Sequence, residues 1–208
     1  MKIVVIGAPD LFDLTEETFK SKKIIVGYSS LKKINNSSYK NYKYLGKSIK
    51  KIIKKFKDIN FVVGIADNLS RQKLVKEIKL HKYKCLSLIH PSVVVYKSSK
   101  IKENVIIHPN SIISSFAEIS EGAFIGYNCL VGHDVKVGSY SFISPGTKLL
   151  GECNIGKNVF IGSNAVIFPK VKIGDNVIIS SGAHVRNYIR KNQTVINSQS
   201  LRTIKNYL

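Results

Sequence analysis

Residues 130–146 read LVGHDVKVGSYSFISPG. Inside this stretch an aliphatic residue returns every sixth position, at Val131, Val137 and Ile143. Stepping outward by six in both directions gives Ile89, Val95, Ile101, Ile107, Ile113, Ile119 and Ile125 on one side. On the other it gives Leu149, Ile155, Ile161, Ile167, Ile173, Ile179 and Val185. Every position is Ile, Val or Leu. Four residues after each aliphatic residue the side chain is small or β-branched, as at Ser99, Ser111, Ala117, Ala123, Cys129, Ser141, Thr147, Cys153, Ala165 and Ala183. A glycine often follows the aliphatic residue directly, as at Gly126, Gly132, Gly138, Gly156, Gly162 and Gly174.

An α-helix cannot keep a period of six on one face, and a hairpin sheet alternates at period two and breaks at its turns. A parallel β-helix fits. Each short strand points one aliphatic side chain inward, a small residue fills each corner, and Gly or Asn takes the unusual backbone angles. Cys129 and Cys153 are corner residues in this register, and with Cys85 they form no CxxC. Neither a disulfide framework nor a metal site is expected.

The register covers residues 89–190. The front half, residues 1–88, reads differently. KIVVIG (residues 2–7), KKIIVGYSS (22–30) and FVVGIADN (61–68) read as strands, the last followed by a helix, LSRQKLVKEIKLHKY (69–83). Leu69, Leu74 and Ile78 are its expected apolar side. Strand alternating with helix predicts a small Rossmann-like α/β unit. Residues 191–208 are left as a C-terminal extension.

The chain of 208 residues carries 33 Lys and Arg against 13 Asp and Glu, a formal charge of +20. Only Arg71, Arg186, Arg190 and Arg202 are arginines. Base readout and bidentate phosphate clamps favour arginine, and no recognition helix or RNA-binding aromatic motif is present, so nucleic acid is not the expected partner. A basic surface suits polyphosphate ligands such as coenzyme A or nucleotide sugars equally well. No apolar run is long enough to span a membrane, and the N-terminus reads as a strand, so a cytoplasmic protein is expected.

The repeat resembles that of the hexapeptide-repeat, left-handed β-helix acyltransferases. GIADNLSRQKLVKEI (64–78), LIHPSVVV (88–95) and GHDVKVGSYSFISPG (132–146) resemble the bacterial sugar acetyltransferases of that family, which include sialic-acid O-acetyltransferases and UDP-amino-sugar N-acetyltransferases. The resemblance implies three hexapeptides to a triangular coil of 18 residues, a left-handed prism about 25 Å long at ordinary strand spacing, and a homotrimer with clefts between prisms. It implies acetyl-CoA as co-substrate, a sugar or nucleotide sugar as acceptor, and no metal. It makes His133 the catalytic base and Asp134 its support, with the Gly151 N–H at the acetyl carbonyl. Ser163 and Ser181 would line the pantetheine channel.

Three departures bear on function. The family's glycine-rich turn after the first strand reads GAPDLFD here (residues 7–13), with Pro9 and Asp10 where Gly and a small residue would admit phosphate. The acidic pair that usually ends the second strand is replaced by Gly27, Tyr28, Ser29 and Ser30. A second histidine, nine residues after the first and in contact with acetyl-CoA, is replaced by Phe142, whose ring offers a packing surface instead. His90, His108 and His184 read as surface residues. Two other readings stay open: a β-helix that serves as a scaffold or binding protein, and an acyltransferase for a non-sugar acceptor.

Overall fold

In a computed structural model, the structure describes residues 1–21, 24–30 and 41–196. The first two residues of the expected second strand region, 22 and 23, and the end of the C-terminal extension, 197–208, lie outside the described residues.

The front unit is a three-stranded parallel sheet with β1 (Ile3–Gly7) between β2 (Ile25–Tyr28) and β3 (Asn60–Gly64). β1 is apolar throughout because both faces are covered. Ile3 and Val5 pack with Leu11, Phe12 and Leu14 of α1 (Asp10–Phe19). Val4 and Ile6 pack with Ile49 and Ile52 of α2 (Ile49–Lys55), and with Val75 and Ile78 of α3 (Asn68–Leu80). The sequence reading anticipated the strands and α3 but named neither α1 nor α2.

The apolar side expected for α3 needs correction. Leu69 is 52% exposed, and the buried stripe is Asn68, Arg71, Val75 and Ile78. This helix lies between its own sheet and a second body, and the side facing that body is polar because it meets backbone carbonyls there. Asp67 caps the helix, accepting from the Ser70 N–H at 2.8 Å, and that bond holds its carboxyl below the usual carboxylate range.

The second body is a triangular prism of two-residue strands, from Leu88–Ile89 to Thr194–Val195. Strands pair in parallel with the strand 18 residues on, Phe124 with Phe142 and Val131 with Leu149, except that the last pairing, Ile178 with Thr194, spans 16; this stacks three sheets of seven, six and five strands. Thr194–Val195, inside the expected extension, supplies the seventh strand of the largest sheet. The second residue of each strand points inward, and from Ile107 to Val185 these residues are buried. Corner residues are buried as well, and where they are polar they are bonded. Ser111 Oγ donates to the Gly126 carbonyl and accepts from the Cys129 N–H. Cys85, Cys129 and Cys153 are free and buried, and burial pushes their thiols up to about 12, 11 and 11. Every sixth residue from Asn104 to Gly182 has left-handed backbone, including Asp134 (φ 58°) and Tyr140 (φ 58°). Asn and Asp tolerate that region best after glycine, which accounts for the asparagines recurring there.

The outward residues distinguish the three faces. On the first they are Leu88, Ile106, Phe124, Phe142, Phe160 and Ile178, and on the third Lys100, Glu118, Lys136, Asn154 and Lys172. The front unit docks on the apolar first face. Arg71, 1% exposed, is the main polar tie. Its five N–H donors reach the carbonyls of Gly122, Tyr140, Ile65 and Ala66 and the Asn68 side chain. Burial pushes this guanidinium down to about 10, still protonated at neutral pH.

Candidate active site on an edge of the prism

His133 follows the strand Leu130–Val131, on the edge where the second face turns into the third. The turn explains the His-Asp pair. Left-handed backbone at Asp134 folds its side chain back beside its neighbour, and His133 Nδ1 lies 2.9 Å from Asp134 Oδ2. A carboxylate only accepts, so in the neutral ring Nδ1 carries the proton and Nε2 keeps its lone pair.

Nε2 faces the next coil. Gly151 lies 18 residues on, and a Cβ there would overlap His133 Nε2, so the approach of the ring requires glycine. The Gly151 N–H has no hydrogen-bond partner among the described residues. That freedom comes from the coil: two residues beyond each inward aliphatic side chain, the turn points an N–H away from the ladder. At Lys157 the Asp175 carboxylate takes it, whereas at Gly151 nothing does. The edge therefore presents a basic nitrogen and a free amide donor side by side. Both histidine and aspartate are more than half exposed, at 60% and 53%.

The expected site residues divide between two edges. His133, Asp134 and Gly151 come together on one. Ser163 and Ser181 stack on another, where the first face turns into the second, in a column with Tyr127 and Pro145. The Ser163 and Ser181 N–H groups are also without partners among the described residues. Phe142 is away from His133, on the first face, stacked between Phe124 at 4.3 Å and Phe160 at 5.6 Å, with the Arg71 guanidinium 5.8 Å from its ring. Six residues of extended chain separate the two edges, on the order of 15–20 Å.

Among the described residues no cluster of His, Cys, Asp and Glu could hold a metal, and no helix is long and apolar enough to cross a membrane.

The reading of His108 as a surface residue is overturned. It is 1% exposed, between Phe124 (centroids 4.9 Å apart) and Tyr127 (4.3 Å). It closes a cavity of about 390 Å³ between the prism and the strand ends at Gly7 and Gly64. His90 is also partly covered, its Nε2 2.5 Å from Glu17, whereas His184 is exposed. The hexapeptide register describes a bare prism and cannot show what docks on it. The signal that was available is the row of apolar outward residues on the first face.

Comparisons with known proteins agree with the architecture. Residues 152–187 match the family model described as bacterial transferase hexapeptide (six repeats). No curated protein matches the chain by sequence. Among solved structures, PerB from Caulobacter crescentus, in complex with CoA and GDP-perosamine, is 23% identical with a TM-score of 0.83, over 93% of both chains. The acetyltransferase domain of PglB from Neisseria gonorrhoeae, in complex with acetyl coenzyme A, is 21% identical with a TM-score of 0.81, over 93% of this chain and 95% of that one. WeeI from Acinetobacter baumannii is 23% identical with a TM-score of 0.84, over 96% and 98%. The fold is thus the Rossmann-like unit followed by a left-handed β-helix, and its repeat is the transferase hexapeptide.

Proposed function

We propose that the chain is an acetyl-CoA-dependent acetyltransferase that acetylates a hydroxyl or amino group of a sugar in bacterial glycan biosynthesis, in the cytoplasm. The observation that carries this reading is His133. It is bonded to Asp134 through Nδ1, and among the described residues its Nε2 is free beside the unpartnered Gly151 N–H. Nε2 removes the acceptor's proton as the acceptor oxygen or nitrogen attacks the thioester carbonyl. The Gly151 N–H receives the tetrahedral oxyanion, and the C–S bond breaks. The departing CoA thiolate takes the proton back from the imidazolium, which leaves acetylated sugar and CoA. Asp134 holds the ring and supports its cationic form. The likeness to CoA-binding and acetyl-CoA-binding structures supports the donor.

The working unit in this reading is a homotrimer. The second face carries apolar outward residues that stay exposed in the single chain, Val94 at 51% and Ile112 at 39%. Such a face favours association with another copy. Packing two prisms side by side would bring the Ser163–Ser181 edge of one copy against the His133 edge of its neighbour. It would also shield the half-exposed pair from water. Acetyl-CoA would then lie between copies, with the free N–H groups of Ser163 and Ser181 toward its pantetheine arm.

Two measurements test this together. Light scattering at micromolar concentration should give three times the 23.2 kDa chain mass. The trimer should hydrolyse acetyl-CoA slowly without an acceptor, releasing a thiol. A monomer, or a trimer inert toward acetyl-CoA with and without sugars, would withdraw the proposal.

A further inference from the structure

Charge in the front unit is sorted by side of the sheet. Twenty of the 33 lysines and arginines, against seven of the 13 acids, fall in residues 1–88. α1 packs on Ile3 and Val5 and carries Asp10, Asp13, Glu16 and Glu17 with no base. α2 and α3 pack on Val4 and Ile6, the opposite face. The stretch that contains α2, residues 43–57, holds seven lysines and no acid. All seven are exposed, and among the described residues none makes an ion pair.

Within α2 the placement follows from the helical period. Ile49 and Ile52 are buried against the sheet. At about 100° per residue, Lys50, Lys51, Lys54 and Lys55 therefore take the outward side. Lys50 and Lys51 stand in the first turn, at the positive end of the helix dipole, and each has another lysine four residues on. Both placements are unfavourable in the isolated unit. α3, on the same face of the sheet, adds Lys73, Lys76 and Leu80. They follow the i, i+3, i+7 spacing on the side away from the buried Arg71, Val75 and Ile78, and Leu80 is 82% exposed.

The prism shows what an ordinary solvated surface looks like in this molecule. On and beside its third face the signs are mixed, and lysines meet carboxylates across the coils, Lys100 with Glu118 and Lys170 with Glu152, each at 3.7 Å. The α2 stretch has one sign and no such partner. A helix side is convex, so it cannot enclose a small ligand. Nucleic acid is a poorer match than a diffuse negative surface. Lysines are hydrated point charges without the forked geometry of arginine, and Arg71, the one arginine in residues 1–88, is buried. Tyr42, at the edge of the stretch, is already stacked on Phe12 at 4.0 Å.

Beyond the acetyltransferase reading and independently of it, we infer that the α2 side of the front unit docks on an anionic lipid bilayer, held by its lysines and not by insertion. A bilayer with acidic headgroups presents an extended negative potential that asks for no fixed contact geometry. Each lysine brought near it strengthens binding about fivefold. Ile49 and Ile52 stay packed on the sheet, so α2 does not enter the acyl chains and the attraction is electrostatic. The acids of α1 lie on the far face of the sheet and orient the unit, with α2 toward the bilayer and α1 away from it. Leu80 adds an apolar contact at the level of the headgroups.

Sedimentation of the full chain with vesicles tests this at about 150 mM NaCl. The protein should bind vesicles of phosphatidylcholine with about 30 mol% phosphatidylglycerol and ignore phosphatidylcholine alone. Binding should vanish at about 0.5 M NaCl, where charges are screened within a few ångströms. The quadruple variant Lys50→Glu, Lys51→Glu, Lys54→Glu, Lys55→Glu should weaken it by at least about 10². Lys100→Glu, Lys136→Glu, Lys157→Glu, Lys172→Glu on the prism makes the same change in net charge at exposed sites and should cost less than about tenfold. Thermal melts check the fold, and the milder Lys→Gln set at the four α2 positions serves if the first variant unfolds. The inference is overturned by equal binding to both vesicle types, by no binding to either, or by binding that persists in high salt. A folded α2 variant that binds like wild type, or equal losses in the two quadruple variants, overturns it as well. Duplex DNA held more tightly than the acidic vesicles at the same salt, through the same lysines, would give this surface to nucleic acid instead. A chain that docks on the vesicles but never transfers acetyl leaves the inference standing and removes the transferase.

Discussion

Two histidines divide the molecule. His133 stands on an open edge, 60% exposed, with a carboxylate 2.9 Å from Nδ1. His108 lies in a closed cleft, 1% exposed, with a carboxylate nearby but both nitrogens unpartnered among the described residues. The same side chain on the same scaffold meets opposite surroundings. On the edge, a neighbour in the sequence fixes the tautomer and leaves the Nε2 lone pair pointing outward. In the cleft, burial keeps the ring neutral and leaves it as a donor and acceptor. The first environment is built by one turn of the repeat, and the second exists only because one unit docks on another.

The largest effect should come from breaking the docking itself. Arg71→Met keeps the aliphatic stem but leaves the carbonyls of Gly122, Tyr140, Ile65 and Ala66 without their donor. Urea unfolding should show a loss of about 3 kcal/mol or more. Limited proteolysis should then cut within residues 1–88 while the prism resists. Arg71→Lys should recover only part of the loss, because an ammonium cannot span five acceptors arranged for a planar fork. A full-stability Arg71→Met protein would mean that the apolar first face alone holds the cleft closed.

Next in size is the edge. His133→Ala should lower kcat/KM for acetyl transfer by at least about 10², with acetyl-CoA affinity and melting temperature nearly unchanged. Asp134→Ala should cost less, about tenfold, because it orients the ring without moving the substrate proton. A folded, trimeric and fully active His133→Ala protein would return that residue to the scaffold and erase the contrast.

The smallest effect is the acid response of the cleft. The folded pKa of His108 is lowered by burial, so as pH falls below the ordinary histidine range the unfolded chain takes up a proton that the folded chain refuses. Stability is complete above about pH 6.5 and declines as pH falls toward the folded pKa, by at most about 1.4 kcal/mol per pH unit for one proton. Urea midpoints at pH 7.5 and 5.5 should therefore differ more in the wild type than in His108→Gln. Equal differences would show that His108 protonates in place.

The sequence carried the edge almost completely and the cleft hardly at all. The aliphatic register set strand positions, inward side chains and the 18-residue spacing, so His133, Asp134 and Gly151 could be grouped before any coordinates. Their geometry is local to two adjacent coils. Arg71, Asp10 and His108 belong to contacts between segments distant in the chain, and no periodicity connects them. Arg71 sits in a helix where charge normally means solvent. Leu69 stood as a core residue and proved exposed, because the helix turned its polar side to the prism. Phe142 replaced an expected histidine, yet its place in the aromatic stack shows a residue serving the covered face and not the His133 edge.

The coil repeat also makes chain length come in fixed units. Because residues 18 apart stand in one column, an inserted block of 18 residues would lengthen the prism by one layer of about 4.8 Å and keep every later side chain on its own face. An insertion of six would keep the aliphatic core in register while rotating all that follows by one face. Placed between Asp134 and Gly151, it would carry the amide away from the histidine while an aliphatic side chain still fills every inward position of the prism. In this architecture an inserted segment can leave the prism intact and still separate the two halves of the proposed active site.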